Sequence, residues 1–86
     1  MSYEDYLDDR KVILTVAPTG GVHGKDKNPN LPEQPEEIAE QVAACEELGA
    51  SICHLHARDE HGENDAGRLQ EVNDAVRERC DDIVIQ

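Results

Sequence analysis

The order of apolar and polar segments is the feature that most limits how this chain can fold. Runs rich in β-branched residues at 11–17, 50–57 and 82–86 are typical of buried strands. Segments with apolar residues at helical spacing lie between them. Strands joined by crossovers of this length pair in parallel. The pattern therefore predicts an α/β fold with the order strand, helix, strand, helix, strand.

The two predicted helices have recognisable ends and buried faces. Pro35 suits a first-turn position, and acidic residues follow it where the helix dipole favours negative charge. Gly49 supplies the stop of the first helix, and the second runs through roughly Arg79. Helical spacing predicts that the first helix buries Ile38, Ala39, Val42, Ala43, Cys45 and Leu48, and the second Leu69, Val72 and Val76.

A three-stranded parallel sheet with two crossovers is incomplete as a domain. Parallel sheets need cover on both faces, whereas two right-handed crossovers cover one. We therefore expect the chain to be the N-terminal βαβαβ portion of a TIM (β/α)8 barrel of about 250 residues. Residues 1–10 are expected to form an acidic N-terminal tail, and residues 11–86 an incomplete barrel domain.

The charge and the cysteines limit the partners and the compartment. A formal net charge of −12 repels phosphate backbones and anionic lipid, so we expect no nucleic-acid or membrane partner. It also suits an acidic, halophile-like surface, the alternative being simply a very soluble chain. Cys45, Cys53 and Cys80 are odd in number and form no C-x-x-C, which favours buried reduced thiols. With no signal peptide at the N-terminus, we expect a cytoplasmic protein.

Two histidines stand one residue apart at the end of the second predicted strand. Side chains alternate along a strand, so His54 and His56 share a face, with Cα atoms about 6–7 Å apart. Their ring nitrogens could converge on one zinc ion, to which each bond is about 2.0–2.1 Å. Ordinary hydrogen-bonded or solvated histidines are the alternative. We favour metal binding, because βα folds place their chemistry at this end of the strands.

Other polar residues near this pair leave more than one interpretation open. His23 and His61 are loop residues that could approach a metal or could simply be solvated. Asp59 and Glu60 could orient the histidines or stand free in solvent. Arg58 could steady a substrate carboxylate or be an exposed arginine. The turn "APTGG" lacks the spacing of a nucleotide-binding motif, and no serine or cysteine has the context of an activated nucleophile.

Three stretches, "TVAPTGG", "NPNLPEQPEEIAEQV" and "LGASICHLHARDEHG", together resemble the β-keto acid cleavage enzymes, which include the 3-keto-5-aminohexanoate cleavage enzyme. The resemblance covers about residues 11–86. It implies a TIM barrel with a divalent metal, usually zinc, and condensation of a β-keto acid with acetyl-CoA to give acetoacetate and a new acyl-CoA. It implies that His54 and His56 are metal ligands, and that a glutamate beyond the end of this chain is the third.

The sequence departs from the family pattern at two positions. Val22 stands where the aminohexanoate enzyme has a glutamate that receives the substrate amine, so a neutral or apolar β-keto acid is expected. Gln34 replaces the usual threonine before the helix proline, which weakens the N-cap. The resemblance assigns no catalytic or substrate-binding residue here.

Two alternatives stay open from the sequence: another metal-dependent TIM-barrel hydrolase, and a truncated product without function. At full length we expect a homo-oligomer.

Overall fold

The predicted order of elements is confirmed in the computed structural model, which describes residues 12–86. The acidic tail predicted at residues 1–10 lies outside the described residues. A short 3-10 turn, Ala66–Arg68, leads into the second helix. The elements in chain order are β1 (Thr15–Val16), α1 (Pro35–Glu47), β2 (Ile52–Cys53), α2 (Leu69–Arg79) and β3 (Val84–Ile85).

The three strands form a parallel sheet in the order β1-β2-β3, so the strand with the histidines is central. Thr15 pairs with Ile52 and Ile52 with Val84, which places these three side chains on one face. The strands are two residues long, shorter than predicted. Part of the reason lies in β1, because Pro18 soon follows it and has no N–H to donate to a ladder.

Both helices pack against the same face of the sheet and against each other. The core is a single cluster of buried apolar side chains, while on the opposite face Val84 remains 56% exposed. The prediction of one covered and one bare sheet face is therefore confirmed for the described residues. The buried cluster consists of Ile38, Ala39, Val42, Ala50, Cys53, Leu55, Ala57, Val72, Ala75, Val76, Cys80 and Ile83.

One residue predicted to lie on the buried face of α1 does not. Leu48 is 85% exposed, because α1 ends at Glu47 and the chain turns away there. Gly49 follows with a φ of +108°, in the left-handed region that favours glycine, as its predicted role as the helix stop requires.

The start of α1 is held by Glu37 rather than by a hydroxyl cap. Its Oε1 accepts hydrogen bonds from the N–H groups of Gln34 and Glu33, at 3.1 and 3.3 Å. Lys25 Nζ lies 2.8 Å from its other oxygen. The Gln34 side chain meanwhile donates to the Asp59 carbonyl at 2.8 Å. The hydrogen bond from the Gln34 N–H to the Glu37 side chain is one half of a capping box. It offsets part of the helix stability that a threonine at position 34 would contribute.

No helix among residues 12–86 is long and apolar enough to cross a bilayer.

Candidate functional site

The histidine pair lies immediately after β2 on the bare face of the sheet. Both side chains are exposed. Cys53, which precedes the pair, and Leu55, which lies between the two histidines, are buried against the helices. The ring centroids of His54 and His56 are 5.1 Å apart, with the planes at 72°. The predicted alternation is therefore confirmed, and the two imidazoles are close enough for a common ligand.

Backbone hydrogen bonds from both neighbouring strands hold the pair in place. The His54 N–H donates to the Val16 carbonyl at 2.8 Å, on the β1 side. The Leu55 N–H donates to the Gln86 carbonyl at 3.2 Å, on the β3 side. The segment that carries both imidazoles is thus anchored on each side. Such anchoring limits how far the backbone that carries the two rings can move.

The remaining predicted candidates do not complete a metal site. Within residues 12–86, no group of three or more histidine, cysteine, aspartate or glutamate side chains is placed to hold a metal. His61 is exposed and lies 3.5 Å from the Glu60 carboxylate, and His23 is also exposed. The solvated alternative for these two histidines therefore agrees with the structure.

Asp59 organises its own loop. Its Oδ1 accepts hydrogen bonds from the N–H groups of His61 and Glu63, at 2.8 and 3.0 Å. These bonds, the one from Glu63 above all, hold the pKa of Asp59 below its ordinary value. The loop folds back as a short hairpin, in which Arg58 and Asn64 form an antiparallel bridge.

Arg58 is the residue whose surroundings the sequence did not indicate. It is 3% exposed, so the alternative of an exposed arginine is wrong. Its Nη2 donates to the carbonyls of Gly20 and His23, at 2.8 and 2.5 Å, and its Nη1 donates to the Gly62 carbonyl at 3.1 Å. The guanidinium therefore connects the turn after β1 with the loop after β2.

Glu33 is the acidic partner of this buried arginine. Its Oε1 lies 3.7 Å from Arg58 Nη1 and accepts a hydrogen bond from the Lys25 N–H at 2.9 Å. Gly62 leaves room for this carboxylate, because a Cβ there would lie 2.6 Å from Glu33 Oε2. The glycine has a φ of +85°, which favours glycine in any case. A buried charge needs such a partner, and the sequence pattern alone did not identify it.

A cleft adjoins the Arg58–Glu33 pair and does not include the His54–His56 pair in its walls. It encloses about 470 Å³, and its walls include Val22, Lys25, Glu33, Arg58 and Asn64. Since β1 and β2 are parallel, the turn after β1 and the histidines after β2 follow the same ends of adjacent strands.

The three cysteines in the described residues are free thiols. Cys53 and Cys80 are buried free thiols, and burial raises the pKa of each. Cys45 is a free, half-buried thiol. A raised pKa keeps the first two in the thiol form, which is a poor nucleophile.

Comparison with known proteins agrees with the geometry of the strand end. The sequence model of the beta-keto acid cleavage enzymes matches residues 11–86, which include the histidine pair and the loop after it. The chain belongs to the beta-keto acid cleavage enzyme family. The resemblance inferred from the three sequence stretches is thereby confirmed.

Several relatives share more than a third of the aligned residues with this chain. The 3,5-dioxohexanoate:acetyl-CoA acetone transferase of Paraburkholderia graminis is 40% identical over 78 residues, or 87% of this chain and 25% of the relative. The 3-keto-5-aminohexanoate cleavage enzyme of Fusobacterium nucleatum is also 40% identical over 78 residues, or 88% of this chain and 29% of the relative. The 3-dehydrocarnitine:acetyl-CoA trimethylamine transferase of Rhizobium meliloti is 34% identical over 80 residues, or 90% of this chain and 27% of the relative. The chain thus spans between a quarter and a third of the length of these relatives.

Proposed function

We propose that this chain forms the N-terminal part of a zinc-dependent β-keto acid cleavage enzyme that uses acetyl-CoA as co-substrate. The observation that carries the proposal is the pair of exposed imidazoles, 5.1 Å apart, at the end of the central strand. Family membership supports it, as do relatives whose names include acetyl-CoA as the reaction partner. The products would be acetoacetate and a new acyl-CoA.

The proposed exchange balances without an oxidant or a reductant. In a β-keto acid R–CO–CH2–COO⁻, the bond between the keto carbon and the methylene carbon breaks. The R–CO group is transferred to the sulfur of coenzyme A, and the acetyl group of acetyl-CoA is transferred to the CH2–COO⁻ fragment. One carbon–carbon and one carbon–sulfur bond break, and one of each forms.

His54 and His56 would hold the zinc ion, with a third ligand, a glutamate, supplied from outside this chain. The donor set fits: two imidazoles on one exposed face are part of the three-ligand set typical of catalytic zinc. When bound, zinc would act as a Lewis acid toward the oxygens of the keto acid. The chain itself supplies the orientation, since the hydrogen bonds to Val16 and Gln86 fix the segment that bears the rings.

We also propose that residues 11–86 are the first portion of a TIM barrel preceded by a tail at 1–10. The bare face of the sheet supports this, because Val84, which pairs with the half-buried Ile52 there, is 56% exposed among residues 12–86. An interior filled by further strands would bury such side chains, as in other barrels. We further propose that the full-length protein is a cytoplasmic homo-oligomer that acts on small molecules and binds neither nucleic acid nor membrane. The net charge of −12 supports the last point, because it repels phosphate groups and anionic lipid.

The substrate would be a β-keto acid with a neutral or apolar end. Val22 supports this choice, because it is 85% exposed and forms part of the wall of the cleft. An apolar side chain cannot pair with an ammonium group, so an amine would lose its hydration there without gaining a partner.

The test is turnover by the full-length gene product that contains residues 11–86. Keto acids with and without a terminal amine are supplied with acetyl-CoA and zinc, and formation of the acyl-CoA is followed. We expect acetyl-CoA-dependent turnover with a preference for the substrates without the amine. Consumption of substrate without acetyl-CoA would indicate a hydrolase instead. A strong preference for the amine would contradict the argument from Val22.

A further inference from the structure

Side chains from the loop after β2 hold the turn after β1, residues 20–23, by donating hydrogen bonds to its carbonyl groups. Arg58 Nη2 donates to the first and last of these carbonyls, Gly20 at 2.8 Å and His23 at 2.5 Å. Asn64 Nδ2 donates to the one between them, Gly21, at 2.8 Å. The two side chains thus hold three carbonyls of a four-residue turn.

The hairpin explains why these two side chains act together. Arg58 and Asn64 face each other in an antiparallel bridge, so their side chains lie on the same side of the hairpin. Further bonds stiffen the base of the hairpin, from the Asp59 N–H to the Glu63 carbonyl at 2.7 Å and from the Asp65 N–H to the Ala57 carbonyl at 3.0 Å. The hairpin begins directly after the histidine segment, so its position is fixed relative to the imidazoles.

The contact between the turn and the hairpin is also close. A Cβ on Gly21 would lie 3.2 Å from Asn64 Nδ2, which is a tight contact. Glycine at this position therefore lets the turn come close enough for the Asn64 side chain to donate to the Gly21 carbonyl. Gly20 shows no such constraint, since a Cβ there meets no atom within 4 Å. Val22, the one residue of the turn whose carbonyl is not held by this pair, presents its side chain as part of the wall of the cleft.

We propose that Arg58 and Asn64 are positioning residues that set one wall of the substrate cleft by fixing the turn at residues 20–23. The inference rests on the proposed function for its substrate and goes beyond it in assigning the two side chains a role. Neither residue would bind the metal or react. Their removal would let the turn move relative to the histidines, so the substrate would bind more weakly while the zinc ligands stay unchanged.

The experiment compares Asn64→Ala with Gln70→Ala in the full-length gene product. Asn64 is exposed, so its truncation leaves the core intact, and Gln70→Ala removes an exposed side-chain amide that makes a 2.8 Å hydrogen bond to Asp74 on α2. Arg58→Lys is a second variant that keeps the positive charge beside Glu33 but lacks the planar guanidinium fork. Four quantities are measured: the zinc content, KM and kcat for the preferred keto acid, and the rate of trypsin cleavage after Lys25 and Lys27.

We expect Asn64→Ala to raise KM about fivefold, equivalent to about 1 kcal/mol for one lost hydrogen bond, with kcat and zinc content close to wild type. Trypsin cleavage after Lys25 and Lys27, two exposed residues that closely follow the turn, should accelerate in Asn64→Ala and more strongly in Arg58→Lys, and stay unchanged in Gln70→Ala. Unchanged cleavage and unchanged KM in Asn64→Ala would overturn the inference, as would loss of zinc with KM unaltered. If the wild-type protein shows no turnover, the proposed function fails. In that case faster trypsin cleavage in Asn64→Ala still supports the fixed turn, and unchanged cleavage overturns it.

Discussion

Gly62 is the position where the structure makes the sharpest prediction about stability. The residue lies in the hairpin after β2, with a φ of +85°. A Cβ at this position would lie 2.6 Å from Glu33 Oε2 and 3.2 Å from Glu33 Cδ. Gly62→Ala therefore has two costs: backbone strain, and displacement of a carboxylate from its place beside Arg58.

The magnitude follows from these two terms. An L-residue in the left-handed region costs about 1–2 kcal/mol. Moving the Glu33 carboxylate lengthens its 2.9 Å hydrogen bond from the Lys25 N–H and its 3.7 Å approach to Arg58. Loss of a hydrogen bond to a charged group costs about 1.5–3 kcal/mol. We therefore expect Gly62→Ala to lower the free energy of unfolding by about 2.5–5 kcal/mol.

Gly49→Ala is the matched control. Gly49 has a φ of +108°, but a Cβ there meets no atom within 4 Å, so only the strain term applies. Urea unfolding of the full-length gene product gives each free energy from the midpoint and slope. We expect Gly62→Ala to cost about 1.5–3 kcal/mol more than Gly49→Ala. In a Glu33→Ala background this excess should disappear, since the displaced carboxylate is absent. Equal losses for the two glycines, or an excess that persists without Glu33, would refute the reasoning.

Two further predictions concern acid stability and the isolated chain. The hydrogen bond from Lys25 is the largest cause that lowers the pKa of Glu37 below its ordinary value of 4.5. This carboxyl therefore binds fewer protons in the folded state, and its contribution to stability is lost as pH falls from 4.5 through the lowered pKa. In pH-dependent unfolding, Glu37→Gln should reduce the loss of stability in acid by less than about 1 kcal/mol, because the Lys25–Glu37 ion pair is partly exposed. Glu36→Gln, in the same turn of the helix, should not reduce it. Equal effects of the two substitutions would contradict the assignment. The isolated 86-residue chain should lack a sharp thermal transition by circular dichroism, with zinc present, in low salt and in molar KCl, because one sheet face is bare and an edge strand is open. A sharp transition together with acetyl-CoA-dependent turnover would contradict the view that it is part of a barrel.

Much of the fold could be predicted because local patterns and tertiary packing agree. Pro35 and Gly49 mark the ends of α1, where the structure places them. The alternation around Leu55 predicted which side chains face the helices, and Leu55 is buried while both flanking histidines are exposed. Leu48 was assigned wrongly because helical spacing was extended one residue past the end of the helix. The strand lengths were overestimated because apolar runs continue beyond the residues that find ladder partners.

The candidate site was predictable only where chemistry follows from strand alternation. The placement of His54 and His56 on one face needed no more than the period of a strand. The burial of Arg58 depends instead on contacts with Gly20 and His23, which lie 38 and 35 residues away in the sequence. Its acidic partner Glu33 comes from yet another segment. One local signal was present: an arginine directly after a buried strand, followed by a glycine-containing loop. Without the tertiary contacts, that signal did not distinguish a buried role from an exposed one.

Zinc content of the full-length gene product, with and without the histidine pair, tests the central claim most directly. The purified protein is equilibrated with zinc, the excess is removed, and the metal is measured per subunit. We predict about one zinc per subunit in the wild type and close to none after His54→Ala and His56→Ala together, with acetyl-CoA-dependent turnover lost in parallel. His23→Ala with His61→Ala, which removes two exposed histidines from the neighbouring loops, should retain the metal. Full zinc occupancy in the protein that lacks His54 and His56 would contradict the account.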